Sequence, residues 1–141
     1  MNNNLVEQAH HSIHHVHELI HRVFTDEDGA GEATLTPLME VFAEHFSMVT
    51  TSAAVIGHVQ VEQLFKGAVG ARKGLEIMIS DLHTVWHEGV TVALRYKEIH
   101  RLNDVETSRI SLAILRVQHD HVQWVYLHET DVRPVAPVIR I

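Results

Sequence analysis

Glu98 and Arg109 are the two residues of this sequence whose pairing offers the most direct chemistry. Both lie in long β-prone runs on either side of Asn103-Asp104, and a two-residue turn there sets them opposite one another. Inside a cavity such a pair is a charge-assisted hydrogen bond in which Arg109 takes an anionic or carbonyl group and Glu98 orients it. A structural cross-strand ion pair of modest value is the plainer account, and it is slightly preferred.

The same reasoning sorts the other candidates. Around Glu88-Gly89, Asp81 is set against Tyr96 and His83 against Leu94. Around His119-Asp120, Ser111 is set against His128 and Arg109 against Thr130. Asp81, Tyr96, Ser111 and His128 then form one row. A carboxylate, a phenol and an imidazole aimed into an apolar cavity can do general acid–base work, so Asp81, Tyr96 and His128 are the catalytic candidates. A hydrogen-bonded polar end of a core explains the row equally and is preferred. Arg109, Glu98, Ser111, Tyr126, His83 and Trp124 share that face and make up the candidate ligand-binding set.

Histidine is over-used, with 14 residues, six of them between His10 and His21. At about 100° per residue, His10, His14, His17 and His21 form one narrow helical stripe bordering an apolar face. Pairs at i,i+4 can chelate zinc, nickel or copper. No His-Glu-x-x-His occurs, so a hydrolytic zinc helix is not indicated. A solvated helix edge is the preferred account, and neither a resident metal nor another cofactor is expected.

The elements that position these residues follow from periodicity. Leu5 to Phe24 reads as an amphipathic helix with Leu5, Ala9, Ile13, Val16, Ile20 and Val23 on one side. The stretch from Asp26 to Gly31 stops it. A second helix is expected from Thr34 or Thr36, with Pro37 at its first position and Phe42 and His45 continuing it. Phe46 to Thr51 reads as a short strand, and Gly57 opens a third helical stretch that closes between Gly70 and Gly74. From Leu75 onward, β-branched and aromatic runs at Leu75–His87, Val90–Arg101, Glu106–Gln118 and His121–Val132 alternate with short turns. With no crossover helices between them, these four strands form an antiparallel meander. An apolar tail with two prolines spans residues 133–141.

At 141 residues the chain is expected to be one domain. It has no cysteine, so disulfides and thiolate chemistry are excluded. A net charge of −7 argues against a nucleic-acid partner. Neither a signal peptide nor a membrane-length apolar run is evident, so a cytoplasmic location is expected. The face opposite the candidate site carries Met78, Leu82, Trp86, Ala93, Ile99, Ile110, Leu112, Ile114, Val125 and Leu127. A second apolar face needs a cover, and a second copy of the chain supplies it, so a homodimer through the sheet is expected.

Three helices, a short strand and a four-strand meander, covering nearly the whole chain, resemble the nuclear transport factor 2-like superfamily, also called SnoaL-like. The segments that carry the resemblance are Val92 to Glu98, Glu106 to Ser111 and Val122 to Thr130. It implies an α+β cone, in which a curved antiparallel sheet wraps the helices and positions matching Arg109 and His128 line a pocket. It also implies frequent dimers. The function expected is a small-molecule-binding domain with a mixed polar and apolar pocket. The alternatives are a cofactor-free lyase or isomerase and a dimerising interaction module.

Overall fold

The computed structural model describes residues 2–133; the apolar tail anticipated at 133–141 lies outside them beyond its first residue. Helix α1 (Asn2–Thr25) turns Ala9, Ile13, Val16, Leu19 and Val23 inward, as helical spacing requires. Asp26, in the left-handed region at φ 49°, breaks it, and a single 3-10 turn follows (Glu27–Gly29).

Helix α2 (Gly31–Val41) starts three residues before the earlier of its two anticipated caps. Asp26 decides this, because its carboxylate accepts a 2.8 Å hydrogen bond from the Gly31 N–H. Gly31 is required there for space: a Cβ would lie 2.8 Å from Asp26 Oδ1 and 3.2 Å from the Val23 carbonyl oxygen. Pro37 therefore lies inside the helix instead of opening it. Phe42 and His45, expected to extend α2, belong to strand β1 (Phe42–Val49). Phe42 is already extended and pairs with Trp124, so sheet pairing takes over where the helix ends.

Strand β2 (Val55–Gly57) returns along β1, and helix α3 (His58–Gly67) follows directly. The Gln60 side chain caps its start by accepting the Gly57 N–H at 2.6 Å. The meander is β3 (Glu76–Glu88), β4 (Thr91–Leu102), β5 (Val105–Gln118) and β6 (His121–Val132). The sheet has the order β2-β1-β6-β5-β4-β3. Every neighbouring pair is antiparallel except β1 with β6, which is parallel, so the sheet is mixed and gains one short strand over the expected five.

Two of the three turns fall where the sequence places them. Asn103-Asp104 and His119-Asp120 have positive φ at both central residues, the pattern of type I′ turns. The third is Gly89-Val90, one residue later than Glu88-Gly89, with positive φ at Gly89 as in a type II′ turn. The β4–β5 register agrees throughout with expectation, including Glu98 opposite Arg109 and Tyr96 opposite Ser111.

Bulges change the faces of the outer strands. β3 shifts register between Ser80 and His83 and again between Thr84 and Trp86. Asp81 sits in the first bulge with φ 55°. As a result Leu82 packs against the core and Asp81 is exposed. β6 takes one extra residue after Trp124, because Leu115 pairs with Trp124 but Ile114 pairs with Tyr126. Beyond that point Leu127 and Glu129 face inward, and Tyr126, His128 and Thr130 face outward. Leu82 and Leu127 thus leave the anticipated outer face. Met78, Trp86 and Ile110 remain exposed on it.

Candidate functional site

The inner face of the sheet, α1 and α3 enclose a cavity of about 240 Å3. Most of its wall is apolar and includes Phe24, Phe42, Phe65, Met48 and Leu127. Its polar floor comes from four elements: His17 of α1, Glu98 and His100 of β4, Arg109 of β5 and Glu129 of β6. Arg72, in the turn after α3, completes it. The Arg72 backbone N–H donates to the Phe24 carbonyl at 2.9 Å, and its guanidinium lies 5.9 Å over the Phe24 ring.

A chain of hydrogen bonds runs through this floor, and the partners fix its direction. Arginine only donates, so Arg72 Nη1 donates to His100 Nδ1 at 3.0 Å. His100 must then carry its proton on Nε2, from which it donates to Glu98 Oε2 at 2.5 Å. The other Glu98 oxygen accepts from His17 Nε2 at 3.0 Å. His17 Nδ1 donates to the Ile13 carbonyl at 2.7 Å. Both partners of His17 are acceptors, so its ring holds two protons and a positive charge. His17, Glu98 and His100 are all buried.

The titration behaviour follows from these contacts. Burial opposes a charged His17, but the charge and hydrogen bond of Glu98, with the Ile13 carbonyl, outweigh it and raise the pKa. Burial likewise opposes ionisation of Glu98, yet His17 and His100 hold its carboxyl far below the usual carboxylate range. Glu129 differs. Burial pushes its pKa up, and Arg109 only partly offsets this from 3.3 Å.

Each anticipated site residue has a definite place. Glu98 and Arg109 are cross-strand neighbours on the cavity floor. They do not form the direct pair: Glu98 is taken by two histidines and Arg109 donates to Glu129. Trp124 lines the cavity, and its indole N–H donates to Ser12 Oγ at 3.0 Å. Tyr96 and Ser111 face inward but are sealed in the core outside the cavity lining. Tyr96 Oη and Ser111 Oγ have no hydrogen-bond partner among the described residues. Asp81 and His83 are exposed on β3. Tyr126 and His128 lie outside the cavity because of the β6 bulge, bonded to each other at 2.8 Å. The catalytic trio of Asp81, Tyr96 and His128 is therefore not assembled.

The histidine stripe is no solvated edge. His17 is buried, His10 bonds Thr84 Oγ1 at 2.7 Å, and His21 Nε2 donates to the Leu75 carbonyl at 2.7 Å. His14 is exposed. Among the described residues no group of three or more His, Cys, Asp or Glu side chains is placed to hold a metal. Sequence reasoning missed His17, His100, Arg72 and Glu129 as cavity residues. His100 carried a usable signal, since it lies two residues after Glu98 on the same strand and so on the same face. Among the described residues no helix is long and apolar enough to cross a membrane.

Neither a protein-family model nor a curated protein matches the chain. Solved structures do. An NTF2-like protein of unknown function from Pseudomonas aeruginosa superposes with a TM-score of 0.83 at 28% identity, over 89% of this chain and 99% of that one. A protein named as a dehydratase of the NTF2-like family from Streptomyces avermitilis gives 0.69 at 15% identity, over 95% and 100%. A protein from Thiobacillus denitrificans, named as an association domain of calcium/calmodulin-dependent protein kinase type II, gives 0.61 at 19% identity, over 81% and 93%.

Proposed function

We propose that this chain, which has the nuclear transport factor 2-like cone fold, is a binding domain for a small organic molecule held in its cone. One observation carries the reading: an apolar-walled cavity whose polar groups converge on one floor, the arrangement that orients a ligand while burying its body. At about 240 Å3 the cavity is below the range of roughly 300–1,000 Å3 typical of drug-sized ligands, so the ligand is a single ring or a short chain. The test uses the two tryptophans. Trp86 is on the outer face and Trp124 lines the cavity. In a Trp86→Phe variant, the small-molecule fraction of the host's own extract is expected to change Trp124 emission. Unchanged emission contradicts the reading.

A second reading, a cofactor-free lyase or isomerase, is supported by Glu129. Its carboxyl faces the cavity with a raised pKa, as a general acid or base working near neutrality requires. Turnover of a cavity ligand that is lost in Glu129→Gln, with binding retained, distinguishes this reading from binding alone.

The protein is also proposed to pair with a second copy through the outer sheet face. Exposed Met78, Trp86 and Ile110, with half-buried Ile99, Leu112 and Ile114, support this.

A further inference from the structure

We infer that the cavity selects an organic anion, a small carboxylate with an apolar body, over the matching neutral molecule. This rests on the binding reading above and names its ligand class.

Geometry fixes the charges on the cavity floor. His17, Arg72 and Arg109 are cationic, His17 because both of its ring nitrogens face acceptors. Glu98 and Glu129 are the carboxylates on the same floor. Glu98 is spent, with each oxygen already accepting from a histidine. Arg109 has five N–H donors, and among the described residues its side chain bonds only Glu129, across a long 3.3 Å contact. Among the residues lining the cavity the cations outnumber the carboxylates by one, against apolar walls; Asp131, paired across from Arg109 on β6 but not lining the cavity, also acts on that guanidinium. A bound carboxylate fills Arg109's open donors with charge-assisted hydrogen bonds that a neutral group cannot match. Arg72 faces the same space, held by His100 of β4, while Arg109 is held by Glu129 of β6, so both guanidiniums are available to one anionic group.

The probes are benzoate, cyclohexanecarboxylate and butyrate, each paired with its primary amide, in calorimetric titrations of the full chain at neutral pH. At least one acid is expected to bind about tenfold more tightly than its amide, the scale of a charge-assisted hydrogen bond over a neutral one. Arg109→Gln and Arg72→Gln, each checked for folding by circular dichroism, are expected to collapse the acid-over-amide ratio, acid binding falling by more than amide binding. Amides binding as well as or better than their acids overturn the anion inference and leave the binding reading standing. Failure of every acid and every amide at millimolar concentration overturns both.

Discussion

His17 and Glu98 are 81 residues apart in sequence and are joined by a buried 3.0 Å hydrogen bond. This contact ties α1 to β4, the strand next to the β3 edge of the sheet. Each group supports the charge of the other in the interior, with His100 adding to Glu98 and the Ile13 carbonyl adding to His17. Glu98 therefore holds the fold together as well as orienting the cavity floor, through His100 and Arg72.

Removing one partner strands the other. Glu98→Gln leaves a buried His17 without its counter-charge and is expected to cost about 3 kcal/mol of stability. His17→Leu together with Glu98→Leu should cost much less than the sum of the two single changes, because no charge is left unpaired. Urea midpoints of the parent, His17→Leu, Glu98→Leu and the double variant test this. Additive losses would show that the contact carries no coupling.

The pH dependence follows in sign. His17 has a raised folded pKa, so its stabilisation is complete below its ordinary value of 6.5 and is lost as pH rises through the folded pKa. Glu98 has a lowered folded pKa, so its contribution is present above its ordinary value of 4.5 and is lost as pH falls through the folded pKa. Both contributions are full between those values. Glu129, raised by burial, also favours the acid side of neutrality. His10, lowered by burial and by His14 and His83, works in the opposite direction. The comparison that isolates the pair is the parent protein minus His17→Leu. Its stability advantage should shrink on going from mildly acidic to alkaline pH, and a growing advantage would contradict the assignment.

Gly31 leaves no room for a methyl group beside Asp26 and the Val23 carbonyl. Gly31→Ala is expected to destabilise by about 1–3 kcal/mol despite alanine's better helix propensity. The denaturation midpoint should fall. A rise would mean that the junction between α1 and α2 has slack.

Tyr96 has a buried hydroxyl beside its cross-strand neighbour Ser111 but without a well-formed hydrogen bond, and burial pushes its pKa up. Tyr96→Phe removes that hydroxyl and keeps the ring packed edge-on against His17, so stability should be unchanged or slightly higher. A loss of more than about 1 kcal/mol would show that the contact with Ser111 is a stabilising hydrogen bond.

Dimerisation through the outer face predicts that Trp86→Glu, with Trp86 49% exposed, converts a dimer to a monomer in light scattering without unfolding it. A parent protein that is already monomeric at micromolar concentration would refute the pairing.

The fold was legible because its signals are local. The α1 stripe is a matter of period, and Asn103-Asp104 and His119-Asp120 adopt the tight turns their types allow. The β4–β5 register followed from one of those turns and put Glu98 and Arg109 on the floor. What failed depends on single inserted residues. A bulge carries no strong sequence signal, yet one after Trp124 moves His128 outside and brings Glu129 inside. The bulge at Asp81 does the same on β3. The use of His17 was hidden for another reason. A histidine at the border of an apolar stripe reads as exposed until its partner is known, and Glu98 lies on a strand that only the tertiary fold brings beneath it.

The central claim, a cone that holds a small organic ligand, is tested most directly by native mass spectrometry of the protein purified from its own host. The expected result is one retained small molecule per chain in the parent and markedly less in Arg109→Gln. A parent that carries no more bound mass than the variant would contradict it.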